Sequence, residues 1–313
     1  MITVLDSDAA LQAIGPEWDA LWHASAMTTP FQSPHWLLPW WRQFGTGLPR
    51  VAIKREAGCL TGVLPLYVLA GERKALPIGA GTTDYLDGLG DTEGLLEAAL
   101  DRIANDAVDH CDLIDVPPWS TLPHTAVSHW STTWTPASAC PVLTLPALPV
   151  GIRRKLRMSR HRADRVGGWT VETAAPATLP DFLGTLVYLH QARWTAQNEP
   201  GTLDDPKVLA FWHDAAPRLL EAGLLRLQRL RIGNDLAAVI AALLAPGRAF
   251  FYLSGFDERH SFVSPGTLLL GSMLECAVEE GRTEAHFLRG REGYKYAWGA
   301  VDRYNRNGRL VPL

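Results

Sequence analysis

The chain has 313 residues, a formal net charge of −4, and a composition that is 47% hydrophobic and 20% charged. These values exclude general disorder, and they argue against a protein built mainly to coat nucleic acid. The length is typical of two domains of ordinary size.

Segments for secretion or for crossing a membrane are not evident in the sequence. The first residues lack a basic stretch followed by an apolar one, and the longest apolar run, 236–245, has only the length of a strand. The cysteines Cys59, Cys111, Cys140 and Cys276 are far apart and form no Cys-x-x-Cys pair, which is typical of reduced packing residues. We therefore expect a cytoplasmic protein with no membrane partner and no metal.

Turn residues and apolar patterning predict a strand-rich first half. Three strands, a helix and a further strand are predicted in this order: 51–53, 60–69, 74–78, 93–108 and 112–116. The run Leu-Pro-Ala-Leu-Pro-Val over 145–150 then interrupts regular structure, because proline fixes φ and lacks a backbone donor. We place a domain boundary there, with one domain over 1–146 and another over 147–313.

The second half begins with predicted helices and continues with the same order of elements as the first. The helices are predicted over 152–166, 181–197 and 206–222. Strands follow over 224–232, 236–244, 249–256 and 285–288. The last two strands flank a helix with Ser264 as N-cap, Pro265 in the first position and Gly281 just past its end. The repeated order predicts a duplicated α/β (α+β) fold, with a mixed, largely antiparallel sheet flanked by helices in each domain.

Five segments resemble the CelD-type acyltransferases of the GNAT superfamily, a group associated by name with polysaccharide biosynthesis. They are 30–36 (PFQSPHW), 190–194 (HQARW), 256–257 (FD), 264–266 (SPG) and 287–298 (FLRGREGYKYAW). The resemblance covers nearly the whole chain, and the order of the segments is more specific than any one of them. This group is in turn similar to the Fem-type ligases, which place two GNAT-like folds in one chain.

The resemblance implies two tandem GNAT-like domains, of which the first is degenerate and the second is the acyltransferase. It implies transfer of an acyl group, such as acetyl, from acyl-CoA to the amine of a small molecule, for example an amino sugar or an amino acid. Two alternatives stay open. One is a Fem-like transferase that uses aminoacyl-tRNA, and the other is a non-catalytic binding protein with a GNAT fold.

In GNAT domains a turn of the form Arg/Gln-x-x-Gly-x-Gly/Ala leads into the helix that holds the pyrophosphate of CoA, and here 261–266 aligns with it. Gly266 matches the second glycine, Ser264 replaces the first, and Ser261 replaces the Arg or Gln. Pro265 also removes one N–H donor. The residues expected to contact the donor are Ser254, Gly255, Phe256, Ser264, Gly266, Thr267 and Leu268.

Acyl transfer to an amine needs a base for the amine and an acid for the leaving thiolate. Asp257 and Glu292 are the candidate bases, and Tyr294 is the candidate acid. Simpler roles are also open: Asp257 caps its turn, Glu292 forms an ion pair with a neighbouring cation, and Tyr294 packs on a short helix together with Trp298.

The candidate substrate-binding residues come from both halves: Asp84, Tyr85, His190, Arg193, Trp194, Arg289, Lys295 and Trp298. Arg193 suits a carboxylate or phosphate, or it lies on the surface beside a packed Trp194. The loop 84–87 is expected either to help hold the acceptor in the cleft between the domains or to be a solvated turn. The run 153–165 carries seven Lys or Arg against one Asp, which is typical of a solvated helix face but also suits CoA phosphates, a phosphorylated acceptor or tRNA.

Overall fold

The structure is a computed structural model that describes residues 1–195 and 201–313, apart from the side chains of 193–195. The chain divides into two compact units, Met1–Ala139 with Arg303–Leu313, and Cys140–Asp302. The segment 145–150, where the sequence places the boundary, lies just inside the second unit. The last residues of the chain return to the first unit.

Nine α-helices, thirteen strands and four short 3₁₀ helices make up the regular structure of the described residues. The helices are α1 Asp8–Ala13, α2 Gly15–Ala24, α3 Pro34–Phe44, α4 Leu95–Ala104, α5 Val150–Arg165, α6 Leu179–Thr195, α7 Pro206–Glu221, α8 Pro265–Glu279 and α9 Gly293–Ala297. The strands are β1 Ile2–Leu5, β2 Gly47–Glu56, β3 Cys59–Leu69, β4 Lys74–Pro77, β5 Leu89–Gly90, β6 His110–Val116, β7 Trp130–Thr144, β8 Trp169–Thr173, β9 Leu225–Ile232, β10 Asp235–Ala245, β11 Arg248–Phe256, β12 Glu284–His286 and β13 Val301–Pro312.

In the first unit the strands are ordered β1-β2-β3-β4-β6-β13-β7, with β5 beside β3. The β4–β6 pair is parallel, and the β1–β2, β2–β3, β3–β4, β3–β5 and β6–β13 pairs are antiparallel. One face of α4 is apolar and joins the core of this unit with Trp130. The tryptophans of α2 and α3 are buried as well, and Trp40 and Trp41 pack edge-on to Tyr67 of β3.

In the second unit the order is β7-β12-β11-β10-β9-β8. The β11–β12 pair is parallel and the other pairs are antiparallel. A Cβ at Gly255 would meet α6, whereas the neighbouring Phe256 contacts Gly266 of α8. Because successive residues of a strand point to opposite faces, α6 and α8 cover opposite faces of this sheet.

The mixed α/β class and most of the predicted elements are confirmed. Predicted strands coincide with β2, β3, β4, β6, β9, β10 and β11, and predicted helices coincide with α4, α5, α7 and α8. The helix predicted over 181–197 is α6, although 196–197 lie outside the described residues. The predicted helix over 93–108 ends earlier, at Ala104, and the strand predicted over 285–288 ends at His286. Within 1–195 and 201–313, no helix is both long and apolar enough to span a membrane.

The close approach of α6 to β11 gives a stability prediction. A Cβ at Gly255 would lie 2.5 Å from the backbone of Leu189 and His190, whereas one at Gly184, also in α6, would meet nothing within 4 Å. We expect Gly255→Ala to lower the free energy of unfolding by roughly 1–3 kcal/mol, because two backbones must move apart. Gly184→Ala should instead raise it by about 0.5–1 kcal/mol, because alanine favours a helix. Denaturant unfolding measures both, and equal effects would contradict the close contact.

Candidate active site

Strands β11 and β12 form a short parallel pair that soon separates. Residues 248–250 lie opposite 284–286, and β11 then continues to Phe256 beside β10. The chain after β12 stays beside β7, since the N–H of Phe287 donates to the carbonyl of Pro141 at 2.9 Å, whereas the pairing with β11 ends at His286. We refer to the opening between β11 and the chain after β12 as the β11–β12 gap.

A β-bulge lies in β11 where this gap begins. The register with β10 shifts between Ala241 and Ala242, so that Tyr252 has no residue opposite it. Bulges redirect backbone groups and are common beside active sites. The ring of Tyr252 packs against Trp212 of α7, with centroids 5.7 Å apart, and this contact supports the bulged segment from one side.

Helix α8 begins close to the end of β11. The ring of Phe256 lies 3.6 Å from the place a Cβ would take at Gly266. The N–H groups of Gly266 and Thr267 belong to the first turn, where no intrahelical acceptor exists, so this helix end attracts an anion. The N–H of Leu268 donates to the carbonyl of Ser264 at 3.1 Å and its side chain is buried, so Leu268 has no free group for a ligand.

Ser264 occupies the N-cap position of α8 but does not cap the helix with its side chain. Its φ of 58° and ψ of 61° are left-handed, and its hydroxyl makes no capping hydrogen bond. The left-handed region favours glycine, which is the residue that GNAT domains have at the aligned position. Serine here therefore keeps the turn at some conformational cost, while Pro265 leaves one N–H fewer for an anion.

Asp257 caps the 3₁₀ helix Glu258–Val263. This is the simpler of the two roles that the sequence suggests for this residue. Its carboxylate accepts from the backbone N–H of Arg259 at 2.9 Å and from the guanidinium of the same residue at 2.6–3.2 Å. The hydrogen bond from Arg259 is the main cause that holds the pKa of Asp257 below its usual value. A lowered pKa weakens this carboxylate as a base at neutral pH.

Lys295 organises the loop that follows β12. Its side chain is buried, and Nζ donates to the carbonyls of Leu288, Arg289 and Gly290 at 3.2, 2.6 and 3.2 Å. Nζ also lies 2.9 Å from Oε2 of Glu292. Leu288 and Gly290 have φ values of 60° and 108°, so the loop curls tightly around the ammonium group. This geometry gives Lys295 a positioning role and confirms that Glu292 has a cationic partner.

Tyr294, a predicted catalytic residue, packs in this loop against Phe287, the residue that follows β12. Its ring is 47% exposed and packs edge-on to Phe287 with centroids 6.2 Å apart. Phe287 in turn lies 5.7 Å from Phe251 across the start of the gap. Trp298, by contrast, is 3% exposed within the apolar core, where it packs rather than faces solvent.

Helix α6 contributes His190 to the same region. His190 is buried, and its Nδ1 lies 3.1 Å from the carbonyl oxygen of Ser254. A carbonyl oxygen only accepts, so Nδ1 carries a proton and donates it, and the contact fixes β11 just past its bulge. The side chains of Arg193 and Trp194, predicted to bind substrate, lie outside the described residues.

Residues 151–296 match the family described as Acetyltransferase (GNAT) domain. The second unit is a GNAT domain. No curated protein is significantly similar to the chain in sequence.

Solved structures show the same fold over nearly the whole chain. FemX is similar with a TM-score of 0.69 at 12% identity, over 94% of this chain and 95% of that chain. L-PGS from Bacillus licheniformis has a TM-score of 0.63 at 11% identity, over 94% and 90%. A tandem GNAT protein from the clavulanic acid biosynthesis pathway has a TM-score of 0.51 at 14% identity, over 98% and 98%. The predicted GNAT resemblance is therefore confirmed, and identities this low show the fold alone.

Asp84 and Tyr85, the other predicted substrate contacts, belong to the first unit. Tyr85 is buried between Phe31 and Trp119, with ring centroids 6.2 and 5.1 Å away. Asp84 is 7% exposed, and its carbonyl accepts from Nδ2 of Asn305 at 2.8 Å. The alternative of a solvated turn is therefore wrong for these two residues. In the described part of the chain no three His, Cys, Asp or Glu residues are grouped as metal ligands.

The role of Lys295 in the GNAT domain can be tested with a neutral side chain of similar length. Lys295→Met leaves three carbonyls without their donor, so we expect the free energy of unfolding to fall by roughly 2 kcal/mol or more. Lys207→Met, at an exposed position of α7, should change it by less than about 0.5 kcal/mol. If Lys295 served only to bind substrate, both variants would be equally stable and only substrate binding would weaken.

Proposed function

We propose that this protein is an N-acyltransferase that moves an acyl group, such as acetyl, from acyl-CoA to the amine of a small molecule. An amino sugar or an amino acid is the acceptor class that we favour, and a cytoplasmic location suits a CoA donor. The observation that carries the proposal is the β11–β12 gap, which lies in a GNAT domain beside the N-terminus of α8.

The gap suits the extended arm of a thioester donor. Beyond Phe250, one edge of β11 is not paired with β12, so a ligand lying alongside can take the place of a strand partner there. The residues assigned to this edge are Ser254, Gly255 and Phe256. Gly255 contributes backbone only, because α6 occupies the space where a side chain would be. The free N–H groups of Gly266 and Thr267 then suit the pyrophosphate.

The proposed reaction is a direct attack of the amine on the thioester carbonyl. A C–N bond forms and the C–S bond breaks, while one proton leaves the amine and one reaches the thiolate. A backbone N–H at the β11 bulge is suited to stabilise the negative carbonyl oxygen. Tyr294, half exposed and packed on Phe287, is assigned as the acid for the thiolate.

Glu292 is the better of the two candidate bases. Its side chain is 55% exposed beside Lys295, whereas both oxygens of Asp257 are bound by Arg259. We assign Arg289, which is partly exposed in the same loop, to contact the acceptor. His190, Lys295 and Trp298 are buried, so we assign them to holding β11 and the loop in place.

The donor site is tested by changing charge at the start of α8. Gly266→Glu and Gly266→Gln add side chains of equal size, and the Cβ contact with Phe256 at 3.6 Å is ordinary. A carboxylate near a helix N-terminus does not destabilise the helix, but it repels a pyrophosphate. We expect Gly266→Glu to weaken acetyl-CoA binding by roughly tenfold or more relative to Gly266→Gln, with equal thermal stability in the absence of ligand.

The measurement is thermal unfolding with acetyl-CoA, with ATP as control, followed by thiol release in the presence of an amine panel. Saturation at about 100 times Kd stabilises by about 2.7 kcal/mol, which is a rise in Tm of several degrees. If acetyl-CoA had no effect on the unaltered protein, or affected both variants equally, the donor site would be wrong. Binding of acetyl-CoA without thiol release for any amine would favour a non-catalytic binding protein.

A second candidate donor, aminoacyl-tRNA, is favoured by the exposed face of α5. Arg154, Arg157, His161 and Arg165 recur at spacings of three or four residues and are all exposed, so they form a line about 16 Å long. Five cations of α5 have no carboxylate within ion-pair distance among the residues that the structure describes. They are Arg153, Arg154, Lys155, Arg157 and Arg165. Such a line suits a phosphate backbone.

Arg162 of the same helix reaches the turn that precedes α8. Its Nη1 donates to the carbonyl of Phe262 at 2.9 Å, and its guanidinium lies 4.8 Å from the centre of the Phe262 ring. The basic line therefore belongs to a helix that contacts the 3₁₀ helix leading into the proposed donor site. This contact is why a large anionic donor is the second candidate.

Charge reversal on this line of basic residues distinguishes an aminoacyl-tRNA donor from an acyl-CoA donor. Arg157→Glu should weaken binding of an aminoacyl-tRNA and reduce the slope of log K against log salt by about one. Lys207→Glu makes the same change of charge in the first turn of α7, and we expect it to alter neither quantity. If Arg157→Glu has no more effect than this control, α5 is a solvated face and the CoA donor alone remains.

A further inference from the structure

The 3₁₀ helix Glu258–Val263, which leads into α8, holds an aromatic ring out to solvent. Phe262 is 61% exposed, whereas the next residue, Val263, is 2% exposed within the core of the GNAT domain. Val263 therefore anchors the turn, and the packing of the fold gains little from Phe262. The acyl-transfer site described above does not use this ring.

Helix α5 holds the ring of Phe262 in one orientation. Nη1 of Arg162 donates to the carbonyl of Phe262 at 2.9 Å, and the guanidinium lies over the ring, 4.8 Å from its centre. The turn then closes, since the N–H of Ser264 donates to the carbonyl of Ser261 at 3.0 Å. Because the guanidinium covers one face of the ring, most of the exposed area belongs to the other face and the edges. The result is a flat apolar surface in a fixed position.

Further apolar and basic side chains are exposed on either side of Arg162. Met158, one turn before it on α5, is 43% exposed. Arg165, one turn after it, is exposed and has no carboxylate within ion-pair distance in the part of the chain that the structure describes. Exposed apolar surface beside cations that lack an acidic partner suits a ligand that is both flat and anionic. A phosphorylated nucleobase has both properties.

The ring of Phe262 is also close along the chain to the proposed pyrophosphate site. Gly266 follows Phe262 by four residues, which span at most about 14 Å when fully extended. The intervening chain turns into α8, so the real separation is shorter. In a nucleotide only the ribose separates the base from its 5′-diphosphate. One nucleotide can therefore contact the ring and the N–H groups of Gly266 and Thr267 together.

We propose that Phe262 is the stacking surface for the adenine base of the acyl-CoA donor, and that Arg165 contacts the 3′-phosphate of the same nucleotide. This inference rests on the proposed acyl-CoA donor and extends it, because the residues assigned so far account only for the thioester arm and the pyrophosphate. Arg162 is a positioning residue that orients the ring. The consequence is selectivity for CoA thioesters over acetyl-phosphopantetheine, which has the thioester arm but no adenosine.

Isothermal titration calorimetry of the full chain tests the stacking surface. We expect Phe262→Ala to weaken acetyl-CoA binding by roughly tenfold, because stacking on the base is lost, and to leave acetyl-phosphopantetheine binding unchanged. Phe262→Trp should keep the affinity of the unaltered protein. The matched control is Tyr188→Ala, which removes a 62% exposed ring from α6 on the opposite face of the sheet, and it should change neither affinity. Thermal unfolding without ligand checks that all variants are folded.

The phosphate contact is tested with two arginines of the same helix. Arg165→Gln should weaken acetyl-CoA binding by roughly fivefold but leave binding of acetyl-dephospho-CoA, which lacks the 3′-phosphate, unchanged. Arg154 is also exposed and lies about 16 Å away along α5, so Arg154→Gln should change neither. Equal effects of the two substitutions on acetyl-CoA binding would overturn the assignment of Arg165.

Adenosine 3′,5′-bisphosphate, which has the nucleotide but no thioester, separates this inference from the proposed function. Binding of the bisphosphate that is weakened in Phe262→Ala would support the stacking surface, even if no thiol were released with any amine. Equal affinity of acetyl-CoA for Phe262→Ala and the unaltered protein would overturn the stacking surface and leave the proposed donor intact. If neither acetyl-CoA nor the bisphosphate bound to the unaltered protein, both proposals would be wrong.

Discussion

The candidate site depends on the short pairing of β11 with β12. The two strands pair over 248–250 and 284–286 only, while the chain at Phe287 continues beside β7. A parallel pair that continued to Phe256 would close the sheet and satisfy the edge that we assign to the donor. The separation leaves this edge of β11 without a neighbouring strand beyond Phe250, and backbone groups at a strand edge need hydrogen-bond partners. In the function that we propose, a thioester donor in extended form supplies this partner.

Three contacts keep the gap in one shape. α6 lies against Gly255 so closely that no side chain fits, and His190 of that helix bonds to the carbonyl of Ser254. On the other side of the gap, Nζ of Lys295 donates hydrogen bonds to three carbonyls of the loop after β12. These groups are buried, so they fix backbone positions rather than contact a ligand. Preorganised backbone of this kind costs no rearrangement during a reaction.

The secondary-structure elements of the candidate site were predicted from the sequence more accurately than the roles of its residues. The sequence placed the bounds of β11 and α8 closely, because turn residues and apolar periodicity are local signals. It could not tell that Lys295 is buried, that Asp257 is bound by Arg259, or that β11 has a bulge at Tyr252. Each of these depends on which distant residues pack together.

The sequence by itself determined the order strand–strand–strand–helix–strand, its repeat in the two halves and the GNAT resemblance. It also determined the basic face of α5, because the charges and their helical spacing can both be read from one short segment. Tertiary structure alone decided that the final strand belongs to the first unit and that the boundary lies at Ala139. It also decided which polar groups are buried. Strand neighbours and burial are set by long-range packing. A single sequence does not show directly which distant segments contact each other.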